Sequence, residues 1–168
     1  WIHAASVGET ISVMPLIECL VQDPKSTVLF TSGTVTSAKV AAQKLPNKAI
    51  HQYVPIENYF AIAKFLKHWQ PTLAIFVESE FWPCILSETA HVCKIISLST
   101  RTSDASFERW SWCKSFTHDV LSTISVFIPQ SVDDAQKLKS LGFNNRKYIG
   151  HLKYSVPPLP YSALEVEK

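Results

Sequence analysis

Glycine is scarce here, four residues in 168. That excludes a Gly-rich linker protein. It also removes the Gly-rich first turn of dinucleotide-binding sheets, since no G-x-G-x-x-G occurs, and no G-x-S-x-G nucleophile elbow occurs either. The four cysteines, Cys19, Cys84, Cys93 and Cys113, form no C-x-x-C pair and have no histidines at zinc-finger spacing. A reduced, cytosolic setting without metal or other cofactor is expected. The formal net charge is only +2, too small to point to nucleic acid. No apolar run approaches the roughly 20 residues of a membrane span. No signal-peptide pattern is visible. There is no initiator Met, and the chain opens at Trp1 inside a strand-like run, so a segment upstream is expected.

What is present is a core. Hydrophobic residues make up 46% and charged residues 18%, the balance of a globular domain rather than a disordered chain. Short apolar runs alternate with helix-period segments. Strands are expected at 1–6, 27–31, 50–54, 73–77, 94–98 and 125–129, with a last short one at 147–149. Helices are expected at 9–22, through Ala38, Ala41 and Leu45, at 59–69, 82–90 and 105–122, and at 133–141 with Gly142 as its stop. The run Leu73-Ala74-Ile75-Phe76-Val77 suits a strand buried on both faces. Tyr59, Phe60, Trp69, Trp110 and Trp112 read as packing residues. Strand–helix alternation implies a Rossmann-like doubly wound parallel sheet, α/β in class. Residues 1–154 form that domain. Residues 155–168, with Pro157, Pro158 and Pro160, read as a linker or tail.

Ligands of such sheets sit beyond the carboxyl ends of the strands, where the strand order reverses. Two acidic segments fall there. Ser6-Val7-Gly8-Glu9 follows the first strand. Gly8 permits close backbone approach, and Glu9 lies in the first helical turn, where it at least complements the helix dipole. Glu78-Ser79-Glu80 follows the strand at 73–77. Two carboxylates this close repel, which can raise one pKa. Pro83 then opens a helix. Thr31-Ser32-Gly33-Thr34 suits an N-cap, or a phosphate. Arg101, among hydroxyl residues, suits a carboxylate, a phosphate or plain solvent.

In order along the chain, these blocks resemble the 3-deoxy-D-manno-octulosonic acid (Kdo) transferase family. His3 to Glu9 is similar to its H-x-x-S-V-G-E block, and Thr31 to Thr36 to its Thr-rich segment. Tyr53-Val54-Pro55-Ile56-Glu57 is similar to Y-x-P-x-D, and Glu78 to Pro83 to E-T-E-L-W-P. Ser99 to Ser103 sits where the family has N-A-R-L-S. Pro129 to Gly142 follows its A-Q-S…D-A…L-G run, and Gly150 to Tyr154 resembles G-x-L-K-F.

The resemblance implies the N-terminal, acceptor-side half of a two-Rossmann GT-B glycosyltransferase. It implies inverting transfer of Kdo from CMP-Kdo to a lipid A precursor at the cytoplasmic face of a bacterial inner membrane. Glu9 is then the proton acceptor, with Glu78 and Lys153 supporting the transition state. Ser6, Gly8, Thr31, Thr34, Glu80 and Arg101 are the implied acceptor contacts. The membrane anchor and the C-terminal donor domain fall outside this chain, so the isolated chain is expected to be soluble and inactive. Cys84 stands for the family's Asn, Ser99-Thr100 for Asn-Ala, Thr102 for Leu and Glu57 for Asp. A second reading is a non-catalytic lipid A-binding remnant or one subunit of a split enzyme. A third is a transferase for another nucleotide sugar.

Overall fold

The computed structural model describes residues 1–150 and 152. Six strands, β1 (Ile2–Ala4), β2 (Val28–Ser32), β3 (Ala49–Tyr53), β4 (Leu73–Val77), β5 (Lys94–Thr100) and β6 (Val126–Pro129), form one sheet in the order β3-β2-β1-β4-β5-β6. Every pairing is parallel. The chain winds outward from β1 to β3, then returns to build β4 on the other side of β1. The reversal therefore lies between β1 and β4, where Ile2 faces Ile75 and His3 faces Phe76. This is the doubly wound parallel sheet that the alternation implied.

Seven helices cover it: α1 (Val7–Leu20), α2 (Val35–Lys44), α3 (Tyr59–Trp69), α4 (Pro83–Ala90), α5 (Asp104–Trp112), α6 (Lys114–Leu121) and α7 (Val132–Ser140), counted among the described residues. Strand side chains alternate between faces, so each strand feeds two cores. Ile2, Phe30, Ile75 and Val77 pack with Val13, Met14 and Ile17 of α1 and Ala41 of α2. Leu29, Ala74, Phe76, Ile95 and Phe127 pack with α3, α4, α6 and α7 through Ile62, Phe65, Leu86, Leu121 and Leu138. Burial on both sides explains why β4 is a nearly unbroken apolar run.

Several local expectations change. Residues 105–122 are two helices, not one: the backbone breaks at Cys113, with φ −104° and ψ 50°. Residues 147–149 form no strand. Only Arg146 bridges to Phe127 there. Tyr59, Phe60 and Trp112 are exposed rather than packed, Trp112 at 86%. Trp69 and Trp110 do pack against the core. Gly142 stops α7 as expected: at φ +95° it lets its N–H reach the Lys139 carbonyl and that of Phe143 reach Leu138. Lys153 and the tail lie outside the described residues.

Candidate functional site

At the carboxyl end of the sheet, beside the β1–β4 reversal, lies a cleft of about 440 Å³. His3 and Ala5 come from β1 and its exit, Gly33 and Thr34 from the exit of β2. Val54 to Glu57 follow β3, and Glu80, Trp82 and Ile85 come from the β4–α4 connection and α4. The lining is mainly apolar. It holds two carboxylates and one imidazole, with no Lys or Arg among the described residues.

Glu80 is the polar centre of this cleft. Its Oε2 accepts the indole N–H of Trp82 at 2.6 Å and lies 3.6 Å from Nε2 of His3. Burial pushes its pKa up. The bonds from His3 and Trp82, with the His3 charge, outweigh that and hold the carboxyl below its ordinary value. The carboxylate repulsion expected to raise a pKa is therefore not what governs Glu80. His3 is 1% exposed, and its Nδ1 lies 3.0 Å from the Thr31 hydroxyl. That hydroxyl also accepts the indole N–H of Trp1 at 2.9 Å.

Glu9 sits at the neighbouring helix start. Ser6 is the N-cap of α1, and its Oγ accepts the Glu9 N–H at 3.2 Å. Glu9 in return accepts the Ala5 N–H through Oε2 at 2.9 Å. This is a reciprocal cap, close to the S-x-x-E capping box, with the return bond one residue earlier. Glu9 is 7% exposed and stands behind Ala5 rather than on the cleft wall. The Ala5 carbonyl accepts from Ser37 Oγ at 2.8 Å, which ties the starts of α1 and α2 together. Gly8, one residue before Glu9, is open: an added Cβ meets nothing within 4 Å.

The other expected site residues are spread along the same edge. Thr34 caps α2 and lines the cleft. Thr31 lies beneath the cleft, 0% exposed, so it supports His3 and meets no ligand directly. Glu78 is half-buried in left-handed backbone, φ 59°, with its N–H on the Leu98 carbonyl at 2.8 Å. Ser99, next door on β5, also has positive φ, 57°, beside the irregular register at Leu98 and Thr100. Non-glycine residues in this region are strained, and such strain gathers at functional edges.

Arg101 is exposed, and its guanidinium has no partner among the described residues. Its backbone is held: the Ser79 hydroxyl donates to the Arg101 carbonyl. The next N–H, of Thr102, donates to buried Asp134 at 2.6 Å. Asp134 also accepts from Ser131, the α7 N-cap, and Lys137 bonds the Thr102 carbonyl. The Ser131…Asp134 part of the sequence thus serves to brace the Arg101 loop.

Sequence reasoning missed three contributors. His3 stood only as the first residue of the H-x-x-S-V-G-E block, with no role given to it. Trp82 read only as the residue before Pro83. Glu57 read as a departure from Asp. Glu57 in fact caps α4, accepting the N–H groups of Cys84 at 2.6 Å and Ile85 at 3.2 Å. Trp82, the N-cap position, supplies no such bond. The helix end at the cleft is therefore already occupied by a carboxylate. No group of His, Cys, Asp and Glu among the described residues is arranged to hold a metal.

Comparison with known proteins places this edge in context. The chain is 43% identical to the 3-deoxy-D-manno-octulosonic acid transferase of Rickettsia felis over 169 aligned positions, all of this chain and 36% of the relative. The Haemophilus influenzae transferase of the same name is 30% identical over 160 positions, covering 93% of this chain and 38% of the relative. The chain thus spans little more than a third of these relatives. Among solved structures, the S. aureus MnaA–UDP complex superposes with a TM-score of 0.64 at 11% identity, over 99% of this chain and 50% of that one. A putative UDP-N-acetylglucosamine 2-epimerase from Listeria monocytogenes gives 0.65 at 12%, again over half its length. At such identities the likeness is one of fold, that of GT-B-like proteins. A family profile described as 3-deoxy-D-manno-octulosonic-acid transferase (kdotransferase) matches residues 1–156. The chain belongs to the 3-deoxy-D-manno-octulosonic acid transferase family.

Proposed function

We propose that this chain is the acceptor-side half of a glycosyltransferase that moves Kdo from CMP-Kdo to a hydroxyl of a lipid A precursor, with inversion. Glu9 takes the proton from the acceptor hydroxyl as its oxygen bonds to the anomeric carbon. The bond from that carbon to the CMP phosphate oxygen breaks, and CMP leaves. Glu78 and Lys153 support the charge that develops, and Ser6, Gly8, Thr34, Glu80 and Arg101 face the acceptor. The donor site belongs to a second domain, and the full protein works at the cytoplasmic face of the bacterial inner membrane. No helix among the described residues is long and apolar enough to cross a membrane.

One observation carries the reading. In a member of this family, Ser6–Glu9 and Glu78–Glu80 emerge from adjacent strands β1 and β4 at the reversal of strand order. That is where doubly wound sheets bind ligands. Supporting it, Gly8 leaves open space at the start of α1.

The test is turnover of CMP-Kdo on a lipid A precursor, run on the 168-residue chain and on the chain completed with the remainder of the Rickettsia felis relative. The expected outcome is no transfer by the first and transfer by the second. Transfer by the chain alone contradicts the half-enzyme reading, and none by a folded completed protein favours a non-catalytic lipid A-binding remnant.

A further inference from the structure

The cleft beside β1 and β4 has a chemistry of its own, set by a chain of polar contacts that ends on Glu80. A Trp indole only donates, so Trp1 Nε1–H gives its proton to the Thr31 hydroxyl. Nδ1 of His3 lies 3.0 Å from that hydroxyl and 3.2 Å from the Thr31 carbonyl oxygen, so Thr31 holds the ring through both of its oxygens. The ring held this way turns Nε2 toward Glu80 Oε2, 3.6 Å away. From the opposite side, Trp82 Nε1–H reaches the same Oε2. Oε2 is thus engaged twice, while Oε1 has no partner among the described residues. Glu80 lines the cleft.

The walls complete the picture. Val54, Pro55, Ile56, Ile85 and Trp82 are apolar or aromatic. The second carboxylate, Glu57, already holds the N-terminus of α4. An ionised carboxylate only accepts hydrogen bonds. A phosphate entering here meets two carboxylates and no Lys or Arg among the lining residues. A hydroxyl meets a fixed acceptor, and a sugar ring or its first methylenes meet apolar walls.

We propose that Trp1, Thr31 and His3 are positioning residues that fix Glu80, so that the cleft takes the hydroxyl-bearing, uncharged face of a glycolipid headgroup and refuses phosphate. The proposal rests on the acceptor reading above and narrows it: any phosphate of the acceptor must lie outside this cleft. His3 and Thr31 act through Glu80 and touch no reacting atom.

The indole N–H signals of Trp1 and Trp82 report the two ends of this chain. Nuclear magnetic resonance on the 168-residue chain, with those signals assigned by single Trp→Phe changes, follows them directly. The probes are octyl β-D-glucoside below its micelle concentration, 1-octanol and inorganic phosphate. Octyl glucoside is expected to shift the Trp82 signal saturably, octanol much more weakly, and phosphate not at all. Thr31→Val, which removes the hydroxyl that lies between Trp1 and His3, is expected to weaken octyl glucoside binding about tenfold, the worth of one ordinary hydrogen bond. Thr31→Ser is expected to restore it. Should Thr31→Val fail to fold, judged by the other indole signals, Glu80→Ala is the second variant, with the same tenfold loss expected.

Phosphate shifting Trp82 as strongly as the glucoside overturns the proposal. So does octanol matching the glucoside, a folded Thr31→Val or Glu80→Ala that binds as the parent does, or no binding of the glucoside at all. Kdo turnover is read separately, so this proposal and the transferase reading can fail independently.

Discussion

Two titrating side chains at the sheet edge have shifts whose signs can be followed through pH. His51 on β3 is half-buried against Phe30 and Tyr53, with Nε2 2.9 Å from the Ser32 hydroxyl. Burial lowers its pKa from the ordinary 6.5. The unfolded chain therefore takes up a proton, as pH falls below about 6.5, that the folded chain still refuses. Stability is expected to decline from there down through the folded value. Glu80 is lowered from 4.5, so its contribution is present above that value and is lost as pH falls through its folded pKa. Urea midpoints measured from pH 8 to about pH 2 are expected to fall in two limbs. His51→Gln removes the upper limb and Glu80→Gln the lower. A parent curve with no decline between pH 6.5 and the Glu80 limb contradicts the account of His51.

At the scale of elements, helix starts govern the site edge, and they differ in how visible they are in sequence. Ser6, Thr34, Asn58, Ser103 and Ser131 each cap the helix that follows them with their own side chain. Such caps are local and readable. The cap of α4 is not, because Glu57 reaches it from another connection. Glu57→Ala leaves the N–H groups of Cys84 and Ile85 without this partner and is expected to cost about 0.5–2 kcal/mol, the usual range for a lost N-cap. Urea denaturation checks it, and an unchanged midpoint contradicts the cap. The same distinction explains the rest of the reading. The Ser6–Glu9 spacing showed a helix-start acid, although its reciprocal bond was not foreseen. His3 was unreadable because its meaning comes from Thr31 and Glu80, distant in sequence. The apolar pattern of residues 105–122 carried no Gly or Pro to announce the break at Cys113. Nor did it show that Trp110 turns inward while Trp112 faces out.

At the scale of the molecule, sheet class and the two-sided core were legible because buried parallel strands leave unbroken apolar runs. The adjacency of β1 and β4 follows from the usual doubly wound order and not from the alternation, which is silent on how strands are arranged. Function needed more than fold, since a putative UDP-N-acetylglucosamine 2-epimerase shares the architecture at 12% identity. The account rests finally on Glu9, which has two tasks: it caps α1 through Ala5 and, by proposal, takes the acceptor proton. Glu9→Gln separates them, because a glutamine carbonyl still accepts the Ala5 N–H but is no base. In the completed transferase, Kdo turnover from CMP-Kdo by Glu9→Gln is the direct measurement. The account predicts a loss of about 10²–10⁴-fold with the unfolding midpoint nearly unchanged. Turnover within a few-fold of the parent contradicts it.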